Sequence, residues 1–330
     1  MLDELKKYCE KGEATIPSKG YRGLNIFGKI KFTNILLRSY WQLNKFNQRS
    51  FIKKECYIGP FVGEFGNFLL HVLPYLSYLF DNKIKIHYCG LQIHEPFLVD
   101  EFGNNIIHEF YPIRDFFSEV KPSGNHLPYY PNDIQSIVDD FFLKAKHSGL
   151  PCLDLRDADL YWYVFRNWQL NGKQKIYNLS KYYNPSGERK NQVVIFPRKF
   201  NGYTKNNGGP IDYTALTNIL LKKVEKVVFV GHPQHISIRR DDFLINKNIE
   251  FNFENGNRGV LEACSKSRVI VTPHSGAMHV GGYTHTPVLL IFEGVPPIKG
   301  LDDSIRFRKN FSFKEVDIEF GVKETILNKL

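Results

Sequence analysis

Among 330 residues there are only two methionines, three tryptophans and five cysteines. The cysteines (Cys9, Cys56, Cys89, Cys152 and Cys264) are odd in number and far apart. Such spacing offers neither a disulfide framework nor a metal-binding repeat, and it suits a reducing cytosol. Long apolar runs are missing as well. None approaches the roughly 20 residues of a membrane span, and Met1-Leu-Asp-Glu-Leu-Lys-Lys7 has no apolar signal core. The expected location is therefore cytoplasmic, with the inner face of a membrane as an option. Gly-x-Gly-x-x-Gly, Gly-Lys-Ser/Thr and Gly-x-Ser-x-Gly are all absent, which weighs against dehydrogenase, kinase and hydrolase readings. No internal repeat and no nucleic-acid-binding motif is visible, so nucleic acid is not expected as a partner. The acidic pairs Asp139-Asp140 and Asp241-Asp242 lie outside any Asp-x-Asp strand-end loop. They read as solvated acids, and no metal or other cofactor is expected.

The chain does have charge of one sign. Lysine and arginine total 44 against 34 acidic residues, a net charge of +10 that favours an anionic partner. From Arg22 to Lys54 there are eight basic residues and no acidic one, interleaved with aromatic and aliphatic side chains. Within it, Ile35 to Phe46 has the spacing of an amphipathic helix. That helix either lies on an anionic membrane surface or packs on the first domain with a solvated basic face. Hydrophobic residues make up 42% of the chain and aromatic residues 15%, enough for one large or two medium cores.

Residues 192–292 alternate strand and helix signals, which predicts a parallel sheet with ligands at the strand carboxyl ends. Gln192 to Phe196, Val227 to Val230 and Val269 to Val271 are short apolar runs. Helices are predicted over Asp212 to Lys223 and Arg258 to Ser265. The third strand runs into Thr272-Pro-His-Ser-Gly-Ala-Met-His279, then Gly281-Gly282, then Thr286-Pro287 and the strand Val288 to Phe292. Ser275 is an N-cap type residue, so a short helix opens at the strand end. Its free N–H groups favour an anion such as a phosphate or diphosphate. Without Cβ, Gly276 permits close approach to the backbone, and His274 and His279 can donate. The bland reading is an ordinary strand–helix–strand unit with its histidines in the core.

This stretch resembles the donor-site signature of GT-B glycosyltransferases, most closely the heptosyltransferase-like (ADP-heptose:lipopolysaccharide heptosyltransferase) group. Its pattern is roughly (Asp/Asn)-(Thr/Ser)-Gly-x-Met-His, a small-residue helix, then Gly-Thr-Pro and a strand. Here His274 replaces the acidic or amide residue, and Gly281-Gly282 replaces an alanine pair. The resemblance covers about 25 residues. It implies an α/β chain of two Rossmann-like domains with an interdomain cleft. The expected boundaries are 1–185 for the acceptor domain, 186–312 for the nucleotide-sugar domain and 313–330 for a tail. That tail, with a helix from about Lys323, would cross back to the first domain.

In such a protein His274, Ser275, Gly276, Ala277, Met278 and His279 hold the donor phosphates. Arg198, with Lys199 or Lys205 in the following loop, reaches the same group. Gly231, His232, Glu254 and Glu262 are expected near the nucleotide base and ribose. An exposed basic turn is the alternative for the two lysines, and a plain helix acid the alternative for Glu262. In the first domain, Tyr57-Ile58 reads as a strand end, followed by the Gly-rich turn Gly59 to Gly66 and a helix carrying Leu73-Pro74. Gly63-Glu64 is similar to the family's Gly-Asp turn, with Glu in place of Asp and a loop of different length. The role of general base then passes to Glu64, or Glu64 merely complements a helix dipole. His71 is a second candidate, a structural histidine being the other reading. His94 and Glu95 follow the alternating strand Lys83 to Tyr88 and are candidate acceptor or backup groups. A helix is predicted over Ile134 to Lys144.

The activity implied is inverting transfer of a sugar from a nucleotide-activated donor, without metal, to a surface-glycan or lipopolysaccharide-type acceptor. A nucleoside-monophosphate donor, as used by Kdo transferases of the same fold, stays open. Two alternatives stand beside it: a sugar-nucleotide epimerase on this fold, and a non-catalytic glycan- or nucleotide-binding protein.

Overall fold

The computed structural model describes residues 26–116, 130–165, 175–198, 212–232, 238–243, 246–273, 275–291 and 316–318. They form two compact units. One holds Met1–Leu98 and Asn105–Lys175, the other Val99–Asn104 and Ile176–Leu330.

The first unit opens with α1 (Ile26–Lys53), then β1 (Glu55–Phe61), α2 (Leu73–Asp81), β2 (Lys85–Leu91), β3 (Glu109–Ile113), α3 (Asn132–Ser148) and β4 (Cys152–Leu153). Its sheet has the order β3-β2-β1-β4, and every pairing is parallel. The chain therefore builds outward from β1 to β3 and returns to place β4 on the other side of β1. On α3, Ile134, Val138, Phe141 and Ala145 recur every three or four residues and are buried against Tyr57, Cys89 and Tyr111 of the sheet. Gly149, at φ 65°, ends that helix in the left-handed region.

The predicted helix from Ile35 to Phe46 is the middle of a much longer one. Phe32, Leu36, Leu43 and Phe46 bury one stripe of α1, tied down by Arg38 to Asp159 (3.0 Å) and Tyr75 to Asn47 (2.5 Å). Ile26, Phe27, Ile30, Leu37, Trp41 and Ile52 stay exposed among its basic residues. The first strand also outruns its prediction. Gly59 lies inside β1 at φ 128°, where a Cβ would sit 2.4 Å from the Cys89 carbonyl oxygen. This glycine serves a close strand contact, so the turn begins only at Val62.

The second unit contains α4 (Ser180–Tyr183), β5 (Gln192–Ile195), α5 (Tyr213–Leu220), β6 (Lys226–Val230), β7 (Ile249–Asn252), α6 (Gly256–Lys266), β8 (Val269–Pro273), α7 (Val280–Thr284), β9 (Val288–Ile291) and β10 (Val316–Ile318). The sheet order is β10-β9-β8-β5-β6-β7, again all parallel. Val193, Val194 and Ile195 of central β5 have no exposed surface, as a strand covered on both faces requires. Asp212 caps α5 by accepting the Ala215 N–H at 2.9 Å. Gly281 is obligatory for packing, because a Cβ there would meet Val288 Cγ2 at 2.3 Å. In the tail, Val316–Ile318 adds a strand beside β9. The helix predicted from Lys323 lies outside the described residues.

Arg189 holds a region read from sequence as linker. Its guanidinium donates to the carbonyls of Ser267 (2.6 Å), His285 (3.0 Å) and Thr284 (3.3 Å) and to Thr286 Oγ1 (2.9 Å). Asn184 adds bonds to the Glu188 and Ser265 carbonyls. The segment from Ile176 thus belongs to the second unit.

Candidate functional site at the strand carboxyl ends

In the second unit the chain winds outward from β5 through β6 to β7, then restarts beside β5 at β8 and winds the other way. The carboxyl ends of the strands at such a reversal are the usual ligand position of an open α/β sheet. Two predicted groups are delivered to it. Arg198 follows the end of β5, with its carbonyl fixed by the Tyr213 hydroxyl at 2.7 Å. Ser275 to His279 follow β8, and Phe196 N–H donates to Val271 O at 3.0 Å, holding the two strand ends together.

Ser275 occupies the N-cap position with extended backbone (φ −157°, ψ 170°), but its hydroxyl does not cap. It lies 3.3 Å from Thr272 Oγ1 instead. Gly276 to His279 form one 3-10 turn, which continues into α7. Met278 N–H is used by Ser275 O at 3.1 Å. The Gly276 and Ala277 N–H groups have no hydrogen-bond partner among the described residues. Backbone donors at a strand end suit an anion. Met278 and Ala277 are buried and anchor the turn, while Ser275, Gly276 and His279 are partly exposed. His274, Lys199 and Lys205 lie outside the described residues.

The remaining second-unit predictions separate. Gly231 and His232 leave the end of β6 partly exposed, Gly231 at φ 138°. Glu254 follows β7 and is exposed, paired with Arg240 at 2.9 Å. Glu262 is different. It sits six residues into α6, about 9 Å along the axis from the helix start at 1.5 Å per residue, paired with Arg258 at 3.3 Å. Its position and ion pair fit the alternative reading of a plain helix acid.

The first unit has the same reversal, between β1 and β4. Glu64 stands just beyond β1, exposed, at the start of the short helix Phe65–Asn67, and its carbonyl accepts the Phe68 N–H at 3.1 Å. The two histidines offered as bases go elsewhere. His71 falls in the wide helical turn Phe68–Val72 and is buried near Tyr161, at 6.5 Å between rings. His94 has no exposed surface. It stacks on Phe68 at 3.8 Å and pairs through Nδ1 with the Tyr88 hydroxyl at 3.0 Å. Burial pushes its pKa down to about 3, so it is a neutral ring in the core. Neither buried ring is placed to reach a solvent-borne hydroxyl, whereas the Glu64 carboxylate is exposed at this edge. Glu95, next to His94, is exposed. Asp139, Asp140, Asp241 and Asp242 are exposed as expected, Asp140 pairing with Lys144 at 3.1 Å.

The molecule is thus a two-unit α/β protein whose parallel sheets both gather polar groups at a topological reversal. No family model and no curated protein matches the chain. Solved structures do. E. coli heptosyltransferase WaaC with ADP-2-deoxy-2-fluoro heptose is 12% identical, with 74% of this chain and 90% of that one covered and a TM-score of 0.49. E. coli ADP-heptose LPS heptosyltransferase II is 14% identical over 74% and 87%, TM-score 0.44. A family 9 glycosyltransferase from Veillonella parvula is 14% identical over 72% and 79%, TM-score 0.43. Among the described residues no helix is long and apolar enough to cross a membrane.

Proposed function

We propose that the protein is a glycosyltransferase that uses a nucleotide-activated sugar and a hydroxyl acceptor of surface-glycan or lipopolysaccharide type. One observation carries the reading. The signature Ser275-Gly-Ala-Met-His279 stands at the carboxyl end of β8, beside the sheet's reversal, with two backbone N–H groups that have no partner among the described residues and with Arg198 past the neighbouring strand end.

The chemistry assigns each group a task. The Gly276 and Ala277 N–H groups bind the donor phosphate, and Arg198 offsets the charge that builds on the leaving diphosphate. Glu64 takes the proton of the acceptor hydroxyl as its oxygen attacks the anomeric carbon. The bond from that carbon to the diphosphate oxygen breaks, and the configuration inverts. No metal enters this donor site, since a guanidinium and backbone N–H groups meet the phosphate charge. The exposed apolar and basic side chains of α1 suit an anionic membrane surface, where a glycolipid acceptor would reside.

A thermal-shift titration with nucleoside diphosphates, with and without magnesium, tests the reading. A ligand that binds only the folded state raises the melting temperature, and here the rise should not need magnesium. Arg198→Ala should weaken the binding by roughly 10- to 100-fold, the worth of a charge-assisted hydrogen bond. No shift with any nucleotide, or an unchanged affinity in Arg198→Ala, would remove the donor site.

A further inference from the structure

At the amino end of the first sheet, opposite the Glu64 edge, three strand starts bring together groups far apart in sequence. Glu55 opens β1, His87 lies near the start of β2, and His108-Glu109 lead into β3. The register sets His87 beside Tyr57 on one side and Glu109 on the other. His87 is nearly buried, with its side chain 8% exposed, and its ring stacks flat on Tyr57 at 4.2 Å and 7°. Both ring nitrogens meet carboxylates: Nδ1 meets Glu109 Oε2 at 2.8 Å, and Nε2 meets Glu55 Oε1 at 2.8 Å. The exposed His108 ring stands edge-on at 5.4 Å. Donor atoms of Glu55, His87 and His108 all lie within 4.8 Å of one another.

Each ring nitrogen of His87 thus faces one carboxylate. The charges around the two carboxylates differ. Glu109 already has Lys144 at 3.8 Å, and Lys144 also holds Asp140 at 3.1 Å. Glu55 has no ion pair other than His87 among the described residues. Glu55 is therefore the carboxylate with fewer cationic partners among the described residues, and it stands on the side on which His108 converges.

We propose that Glu55, His87 Nε2 and His108 form a site for one divalent transition-metal ion of the zinc class, bound by two imidazoles and a carboxylate. Nitrogen and carboxylate donors at about 2.0–2.2 Å around a tetrahedral ion stand roughly 3.3 Å apart. The Glu55–His87 pair is close to that, and a turn of the exposed His108 ring brings in the third donor. Glu109 is the outer carboxylate that accepts the Nδ1–H hydrogen bond and orients the ring. The fourth position is left to water. Such an ion would cross-link β1, β2 and the lead into β3. Its part is to hold the first unit together, since it sits at the far end of the sheet from Glu64. The sequence reading missed it because its ligands are 32 and 21 positions apart, with no motif spacing.

The test uses the full chain stripped by a chelator and titrated with zinc against a colour-forming competitor. One equivalent should bind and raise the melting temperature, and cobalt in its place should give the intense visible band of a tetrahedral site. His108→Ala and Glu55→Gln should each weaken zinc at least tenfold, and Glu109→Gln by roughly 10- to 100-fold as an outer-shell change. The nucleotide response should be unaffected by all three. Lack of a saturable zinc site overturns the proposal, and so does zinc binding that persists unchanged in both His108→Ala and Glu55→Gln.

Discussion

In the first unit, β1 leaves the sheet at Phe61 and passes through Val62-Gly63 to an exposed carboxylate, Glu64. In the second, β5 leaves through Phe196-Pro197 to a guanidinium, and β8 leads to a turn whose Gly276 and Ala277 N–H groups have no partner among the described residues. The winding is the same in both. The innermost strand has the later-arriving strand on one side and the outward series on the other. One topology thus puts a carboxylate past one reversal and backbone N–H groups with a guanidinium past the other. The backbone decides where a ligand edge lies, and the few residues past each strand end decide which charge it receives.

The units also differ in how they are held. The first stacks rings around His94, with Phe61, Phe68 and Tyr88 against it. The second relies on Arg189, which ties the chain before β5 to the ends of α6 and α7. Three variants sharpen this contrast. The largest effect is expected at Glu64→Gln, which should lower turnover by roughly 10²- to 10⁴-fold, the usual worth of a general base, while the nucleotide-induced rise in melting temperature stays intact. Unchanged turnover would take the carboxylate out of the comparison.

Next is Arg189→Ala. It strands three carbonyls, and partial exposure of the guanidinium limits the cost to about 2–3 kcal/mol, read from the denaturant midpoint. Lysine should not rescue it, because one ammonium cannot span four acceptors. Smallest is the pH response of the His94 core. Its folded pKa of about 3 lies below the ordinary 6.5, so the unfolded chain binds the extra proton. Stability from this group is full above pH 6.5 and falls by about 1.4 kcal/mol per unit below it. Between pH 6.5 and 5 the protein should lose roughly 2 kcal/mol that a His94→Phe variant keeps. Parallel slopes for the two would show that the ring is not the source.

Much of the second unit was legible before the fold was known. Buried parallel strands are short apolar runs, so Val193 to Ile195, Val227 to Val230 and Val269 to Val271 were found within a residue or two, as was α6, while α5 and, in the first unit, α3 were found with their ends three or four residues off. Less regular strands were hidden. Pro112 breaks the apolar pattern of β3, β4 has two residues, and β7 carries Glu250 and Asn252 on a half-covered edge. Glycine at 59 looked like a turn because a local reading cannot see the Cys89 carbonyl against which it packs. His94 looked like chemistry because a histidine after a strand is ambiguous until its burial is known, while for His71 the structural reading already stood beside the catalytic one.

By itself the sequence determined the α/β alternation, the basic helix and the Ser275–His279 turn, since each rests on contacts between residues a few positions apart. Only the tertiary structure decided that Glu64 faces out while His94 is sealed in, that Arg189 joins four distant acceptors, and that Glu55, His87 and His108 converge. Those outcomes depend on strand order and register, which bring remote positions within hydrogen-bonding distance and leave no trace in local spacing.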